Sequence, residues 1–277
     1  MTSVTTKPLS DSVGAEVLDV DRDRLLHDEA LADECLELLD RHGVLVFREL
    51  HLDDETQVEF SRRLGPVERV GRRPDGAEIF RVTLDPAKNP AADYLKGTFD
   101  WHIDGMTDDI PIMATVLSAH QVAASGGDTE FASTYAAYDD LSAEEKERAL
   151  ATRVVHSFLA AQKLSHPNAS ADDIEMWSKR PPKTHPLVWR HEHGRRSLVL
   201  GATTDHIEGM SEDEGKAYLA DLLDRSTVPE RVYRHEWAIG DLVIWDNRGV
   251  LHRATRYDPS SARDMHRTTI AGSEAVQ

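Results

Sequence analysis

The sequence predicts a mainly β protein with inserted helices, a β-sandwich or jelly roll decorated by helices. Three observations carry this expectation. Short strand patterns recur toward both ends of the 277-residue chain, apolar at 43–47 and 241–245 and more polar at 265–271, with helical patterns between them. Strands and helices do not alternate as in a βαβ series. No glycine-rich phosphate loop follows a strand, which argues against a doubly wound nucleotide-binding fold.

Taken in order, residues 1–13 are Ser/Thr-rich and predicted to be loosely ordered. Residues 27–42 read as an amphipathic helix, with Leu31, Cys35, Leu38 and Leu39 on one face and Gly43 as its C-cap. The apolar run 43–47 reads as a buried strand. A second helix is predicted over 53–64, capped by Asp53 or Asp54 and stopped by Gly65-Pro66. After a Pro- and Gly-containing polar stretch with one short strand near 78–82, residues 112–131 look strand-like, broken at Ser125-Gly126-Gly127. Ser142 with Glu145, and Ser211 with Glu214, have the spacing of capping boxes and start helices over 142–151 and 211–224. Further strands are predicted at 197–200, 241–245 and 265–271. No domain boundary interrupts the chain, so residues 1–277 are read as a single domain.

Composition bounds the function. The formal charge is −18, and 40% of residues are hydrophobic. This is the make-up of a globular protein and disfavours nucleic acid as a partner. No apolar run approaches a membrane span, and the N-terminus lacks a secretory h-region. With one cysteine, Cys35, no internal disulfide forms. The expected setting is cytoplasmic, and Cys35 is read as a small core residue.

Three segments carry candidate chemistry. In Trp101-His-Ile-Asp104, His102 and Asp104 are two apart and share a face if the segment is a strand. Downstream, Trp245-Asp-Asn-Arg-Gly-Val-Leu-His252 presents a second imidazole. In Arg263-Asp-Met-His-Arg267, alternate positions place two guanidiniums on one strand face, suited to a carboxylate. Two histidines and one carboxylate on a β scaffold make a facial triad, the arrangement of non-haem Fe(II) oxygenases. A keto acid as co-substrate needs a cationic anchor for its far carboxylate, which Arg263 supplies.

The ordered set extends this pattern along the chain: Gly14-Ala-Glu-Val17, Gly43-Val-Leu-Val-Phe47, the 101–104 segment, Gly127-Asp-Thr-Glu-Phe131, Ala137-Tyr138, Trp245-Asp-Asn-Arg248, His252 and Met265-His-Arg267. In this it resembles the taurine/2,4-dichlorophenoxyacetate dioxygenase family of Fe(II)- and 2-oxoglutarate-dependent oxygenases. The resemblance implies a double-stranded β-helix, a jelly roll. It implies that His102, Asp104 and His252 ligate iron, and that Thr129 and Arg263 hold the distal carboxylate of 2-oxoglutarate. Arg267 would be a second active-site arginine near the metal-binding end of the keto acid, also available to an anionic substrate. Fe(II) is the implied metal, with 2-oxoglutarate and O2 as co-substrates and succinate and CO2 as products. Asp104 stands where related halogenases carry a small residue, so oxygenation is expected rather than halogenation.

The implied substrate is a small, anionic organic molecule, and the assembly a homo-oligomer, dimer or tetramer. Taurine itself is not the expected substrate. Residues 68–73 read Glu-Arg-Val-Gly-Arg-Arg where taurine-specific members carry a His and a Tyr. Thr98 stands where they have an amide, and Ala202 where they have an aromatic. Arg72 or Arg73 could add positive charge to the pocket, and Tyr94, Trp101 and Met106 could line an apolar wall. Hydroxylation is the expected oxidation; desaturation or oxidation at nitrogen on the same centre is the alternative, and a non-catalytic ligand-binding jelly roll is the alternative of another class.

Overall fold

The computed structural model describes residues 4–69 and 77–277. In chain order the elements begin with β1 (Thr5–Pro8), β2 (Ala15–Leu18), α1 (Arg22–His27), α2 (Leu31–His42), β3 (Val44–Phe47), α3 (Asp54–Leu64) and β4 (Phe80–Val82). A 3-10 turn over Tyr94–Phe99 leads to β5 (Ala114–Gln121), β6 (Thr129–Ser133), α4 (Thr134–Asp139), α5 (Ala143–Ala151) and β7 (Arg153–His156). Then come α6 (Phe158–Ser165), α7 (Ala171–Ser178), β8 (Lys183–Pro186), β9 (Val188–Arg190), β10 (Arg196–Leu198) and β11 (Thr204–Ile207). The chain ends with α8 (Glu212–Ser226), β12 (Val232–His235), β13 (Leu242–Asp246), β14 (Val250–Ala254) and β15 (Asp264–Ile270).

Seven strands form the large sheet, in the order β1-β2-β3-β13-β5-β15-β4, and a second sheet has the order β12-β6-β14. Pairing is antiparallel except between β2 and β3. Alternation along the strands divides the large sheet's side chains between two cores. Leu45, Phe47, Val116, Leu242 and Ile244 pack against Leu25, Leu31, Cys35, Leu39 and Phe60 of α1–α3. Val44, Val46, Leu117, Val243 and Trp245 face inward and meet Phe131, Tyr233 and Val250 of the second sheet. Covered on both faces, β3 is a continuous apolar run rather than an alternating one. Two sheets closing on a shared interior make the jelly roll that the sequence predicts.

Local signals place several elements as expected. Asp53 accepts the Thr56 N–H at 2.8 Å and starts α3. Ser142 and Glu145 close a reciprocal capping box on α5. Gly43 ends α2 at φ 71°, a left-handed conformation glycine adopts without Cβ strain.

Four expectations change. Residues 5–8 are not loose: they pair with 15–18 as β1 and β2, because Ser10 Oγ ties the intervening turn to Val13 O at 2.6 Å. The helix predicted over 27–42 begins at Leu31, since Asp28 caps the end of a separate α1. The stretch 112–131 is interrupted where expected, but the break is wider, running from 122 to 128. At Ser211 no side-chain cap bond to the backbone forms; its hydroxyl donates to the Glu214 carboxylate instead.

A second apolar cluster, outside the two cores of the large sheet, gathers Trp101, Met106, Val154, Trp189 and Leu219, and β7 beside it shapes the acid stability. His156 is fully buried there, with Nδ1 2.9 Å from Thr203 Oγ1, and burial pushes its pKa down to about 3. The folded state therefore keeps it neutral while the unfolded chain protonates near pH 6.5. Stability attributable to His156 is full above pH 6.5 and falls by about 1.4 kcal/mol per pH unit below it, down to about pH 3. Thermal melts across pH 4–7 should be shallower for His156→Asn than for the wild type by this contribution; an unchanged slope in the variant removes His156 as a contributor.

Candidate functional site

The site begins with a backbone contact. His102 N–H donates to His252 O at 3.0 Å, and His252 N–H to His102 O at 2.9 Å, an isolated antiparallel bridge. Directly opposed residues on such a pair project to the same side. The imidazole centroids are accordingly 4.1 Å apart. Residues 102–104 are not the continuous strand expected from their spacing: the chain leaves the bridge into a turn, which carries Asp104 back toward both rings. Asp104 Oδ1 lies 3.8 Å from His102 Nε2, and Oδ2 lies 3.7 Å from His252 Nε2. Donors that each stand about 2 Å from one ion show separations of this order.

Gly201 makes the close approach behind His102 possible. Its φ is +115°, and a Cβ there would stand 2.8 Å from Trp101 O and 2.9 Å from His102 Cα.

The protonation states suit metal ligation. Burial pushes His252 down to about 3, and nearby His102 lowers it further against the opposing pull of Asp104, so its ring is neutral. His102 Nδ1 lies 2.8 Å from Asp100 O, which fixes the ring and leaves Nε2 toward Asp104. Burial would raise the Asp104 carboxyl, but Arg267, His252 and His102 together outweigh it and hold the group below the usual carboxylate range. Arg267 Nη1 donates to Asp104 Oδ2 at 3.3 Å, and Thr115 Oγ1 donates to the same oxygen at 3.4 Å. Asn247 Nδ2 holds Thr115 Oγ1 at 3.0 Å.

His102 and His252 open on a cavity also lined by Thr129, Trp245, Arg263 and Arg267. Thr129 on β6 is buried, and its Oγ1 accepts the Trp237 indole N–H at 3.0 Å. Arg263 is 3% exposed, yet no carboxylate among the described residues lies within 4.0 Å of it. Its Nε donates to Gly127 O at 3.1 Å, and its guanidinium sits 5.0 Å from the Tyr257 ring centroid. Burial pulls its pKa down. Gly127, at φ +76°, is required: a Cβ there would be 3.0 Å from both Arg263 Cδ and Nε. A buried guanidinium without an anion is costly, so this one is built for an anion that arrives from outside.

The structure thus brings together all six residues singled out from the sequence. Thr115, Asn247 and Trp237 were not anticipated, because each acts through a hydrogen bond between distant segments that spacing does not reveal. Of the candidate wall residues, Trp101 and Met106 are buried in the second apolar cluster, and Tyr94 is exposed. Arg72 and Arg73 lie outside the described residues. Asp54, His120 and His266 form another grouping of donor atoms. There the imidazoles stack with centroids 3.7 Å apart and planes 21° apart, and face-to-face rings do not aim their in-plane lone pairs at one ion.

Comparisons with known proteins agree with this geometry. Residues 5–269 match the family described as taurine catabolism dioxygenase TauD, TfdA family. The alpha-ketoglutarate-dependent 2,4-dichlorophenoxyacetate dioxygenase of Cupriavidus pinatubonensis is 37% identical, covering 99% of this chain and 100% of that protein. The alpha-ketoglutarate-dependent sulfate ester dioxygenase of Pseudomonas putida is 32% identical, covering 97% of this chain and 90% of its own length. Among solved structures, AAD-2 in complex with Mn(II) and N-oxalylglycine superposes with a TM-score of 0.85 at 33% identity, covering all of both chains. A triad of metal-binding donors beside an anion-seeking arginine, in a chain of this ancestry, has one consistent identity: the protein belongs to the TauD/TfdA family and is an Fe(II)- and 2-oxoglutarate-dependent dioxygenase.

Proposed function

We propose that His102, Asp104 and His252 hold the iron, that Thr129 and Arg263 bind the distal carboxylate of 2-oxoglutarate, and that Arg267 serves the metal-proximal end of the co-substrate. The substrate is a small organic acid. The observation that carries this reading is the buried Arg263, without a carboxylate partner among the described residues, in the same cavity as the two histidines. The named substrates of relatives, 2,4-dichlorophenoxyacetate and sulfate esters, are acids, which supports an anionic substrate here.

Each side chain has a task in this reading. Bound Fe(II) supplies the redox chemistry that couples O2 reduction and decarboxylation of 2-oxoglutarate to substrate oxidation, releasing succinate and CO2. Neutral His252 offers a lone pair, His102 turns its Nε2 toward the same point, and Asp104 stays ionised because Arg267 and Thr115 hydrogen-bond its carboxylate. Since Thr129 Oγ1 already accepts from Trp237, its own O–H is left to donate into the cavity. Arg263 adds a charge-assisted bond to the same end of the co-substrate, which fixes its orientation. The Trp245 ring, 4.8 Å from that of His252, packs the floor and excludes water.

Purified protein with Fe(II) and 2-oxoglutarate under anaerobic conditions should show a visible charge-transfer band, and on admission of air it should form succinate slowly without added substrate. Absence of both sinks the reading.

A further inference from the structure

The 3-10 turn that precedes His102 presents Tyr94, which is 47% exposed despite its size. Its ring stacks on Phe158, the first residue of α6, with centroids 5.8 Å apart and planes 21° apart. The same Phe158 ring carries Arg180, which follows α7, with its guanidinium carbon 4.1 Å from the centroid. Three separate segments therefore converge on one planar stack.

The same turn meets the iron site, because its Leu95 and Thr98 line the cavity beside His102 and His252. Asp104, Arg267, Arg180 and Asp108 all lie within electrostatic reach of the Tyr94 hydroxyl. The cations differ in what they already hold. Arg267 donates to Asp104 and lies over the Phe80 ring at 5.1 Å. Arg263 is buried beneath, at the far end of the cavity. Arg180 is exposed and makes no ion pair among the described residues, although Asp108 is near enough to feel its charge. Ring stacking holds the guanidinium flat and leaves its N–H edge free to make paired bonds to a carboxylate.

The surrounding charges select an orientation. Burial raises both Glu68 and Asp108; Asp108 and Asp104 raise Glu68 further, and Arg267 opposes them. Acids on the Glu68 side repel an anion, and Arg180 is an exposed cation without a paired carboxylate among the described residues.

From this geometry we infer that Arg180 is a specificity-determining residue: it takes the acid group of a substrate whose planar apolar body lies along Tyr94 and Phe158, with the far end toward the metal ligands. The inference rests on the proposed iron site and adds the substrate's polarity within it. It also explains how a substrate acid can be recognised while Arg267 stays committed to Asp104.

The test uses the whole enzyme with 2,4-dichlorophenoxyacetate and its neutral amide as probes, reading probe-stimulated succinate formation. Arg180→Ala should raise KM for the acid about tenfold to a hundredfold, with kcat within twofold. KM for 2-oxoglutarate and the response to the amide should stay unchanged. Arg180→Lys should recover part of the loss and Arg180→Gln none. Two results overturn the inference: an Arg180→Ala KM for the acid within twofold of wild type, or equal losses on acid and amide. A wild type that forms succinate from 2-oxoglutarate alone but ignores the acid also overturns it, while leaving the iron reading standing. A wild type with no iron-dependent succinate formation overturns both.

Discussion

His252→Ala loses at least about a hundredfold of succinate formation, along with the anaerobic charge-transfer band. The size of the effect follows from where the ring sits. His252 is locked to His102 by two backbone bonds and packed between Trp245 and Phe131, so no neighbouring side chain can swing into its place. Its neutrality in the fold means that the substitution removes a lone pair and a ring, not a charge. The loss is therefore specific to metal binding. Mn(II) should raise the melting temperature of the wild type and leave that of the variant unmoved, because a ligand stabilises only the state that binds it. An unchanged band and an unchanged rate of succinate formation in the variant would falsify the ligand assignment.

The second large effect falls on co-substrate affinity. Arg263→Ala should weaken 2-oxoglutarate binding about tenfold to a hundredfold, the worth of a charge-assisted bond to a buried carboxylate. The sign of its effect on the free enzyme is the sharper part. Because Arg263 is buried with no carboxylate partner within 4.0 Å among the described residues, removing it takes away a charge that folding had to desolvate. The variant without ligand should melt no lower than wild type, while the stabilisation added by 2-oxoglutarate disappears. A variant that melts several degrees lower, with co-substrate affinity intact, would assign Arg263 to structure alone.

Much of the centre was legible in the sequence because its residues carry chemical identity. Imidazoles, one acid and two arginines at fixed order along the chain suffice to suggest a triad and an anion anchor. The strands that hold them were legible where apolar runs are bounded by glycine, as at β3 and β13. The route by which His102 and Asp104 meet was not. Spacing of two suggested a strand, whereas the two residues are brought together by a cross-chain bridge and a turn, features set by segments 150 positions away in sequence. Thr115, Asn247 and Trp237 were invisible for the same reason: their roles exist only once β5, β13 and the loop before it are neighbours. The N-terminal pair β1 and β2 was missed because serines and threonines read as disorder until the Ser10 turn and the sheet edge accept them.

Cys35 lies on the helical side of the large sheet, 1% exposed, with burial pushing its thiol up to about 12. The wall of β-strands separates it from the chamber where oxidants arise, so stray products of idle turnover meet no thiolate on their way out. Alkylating reagents reach it only when α2 lifts from the sheet. The chain thus contains its own clock for breathing of that layer, read by the rate at which a maleimide attaches.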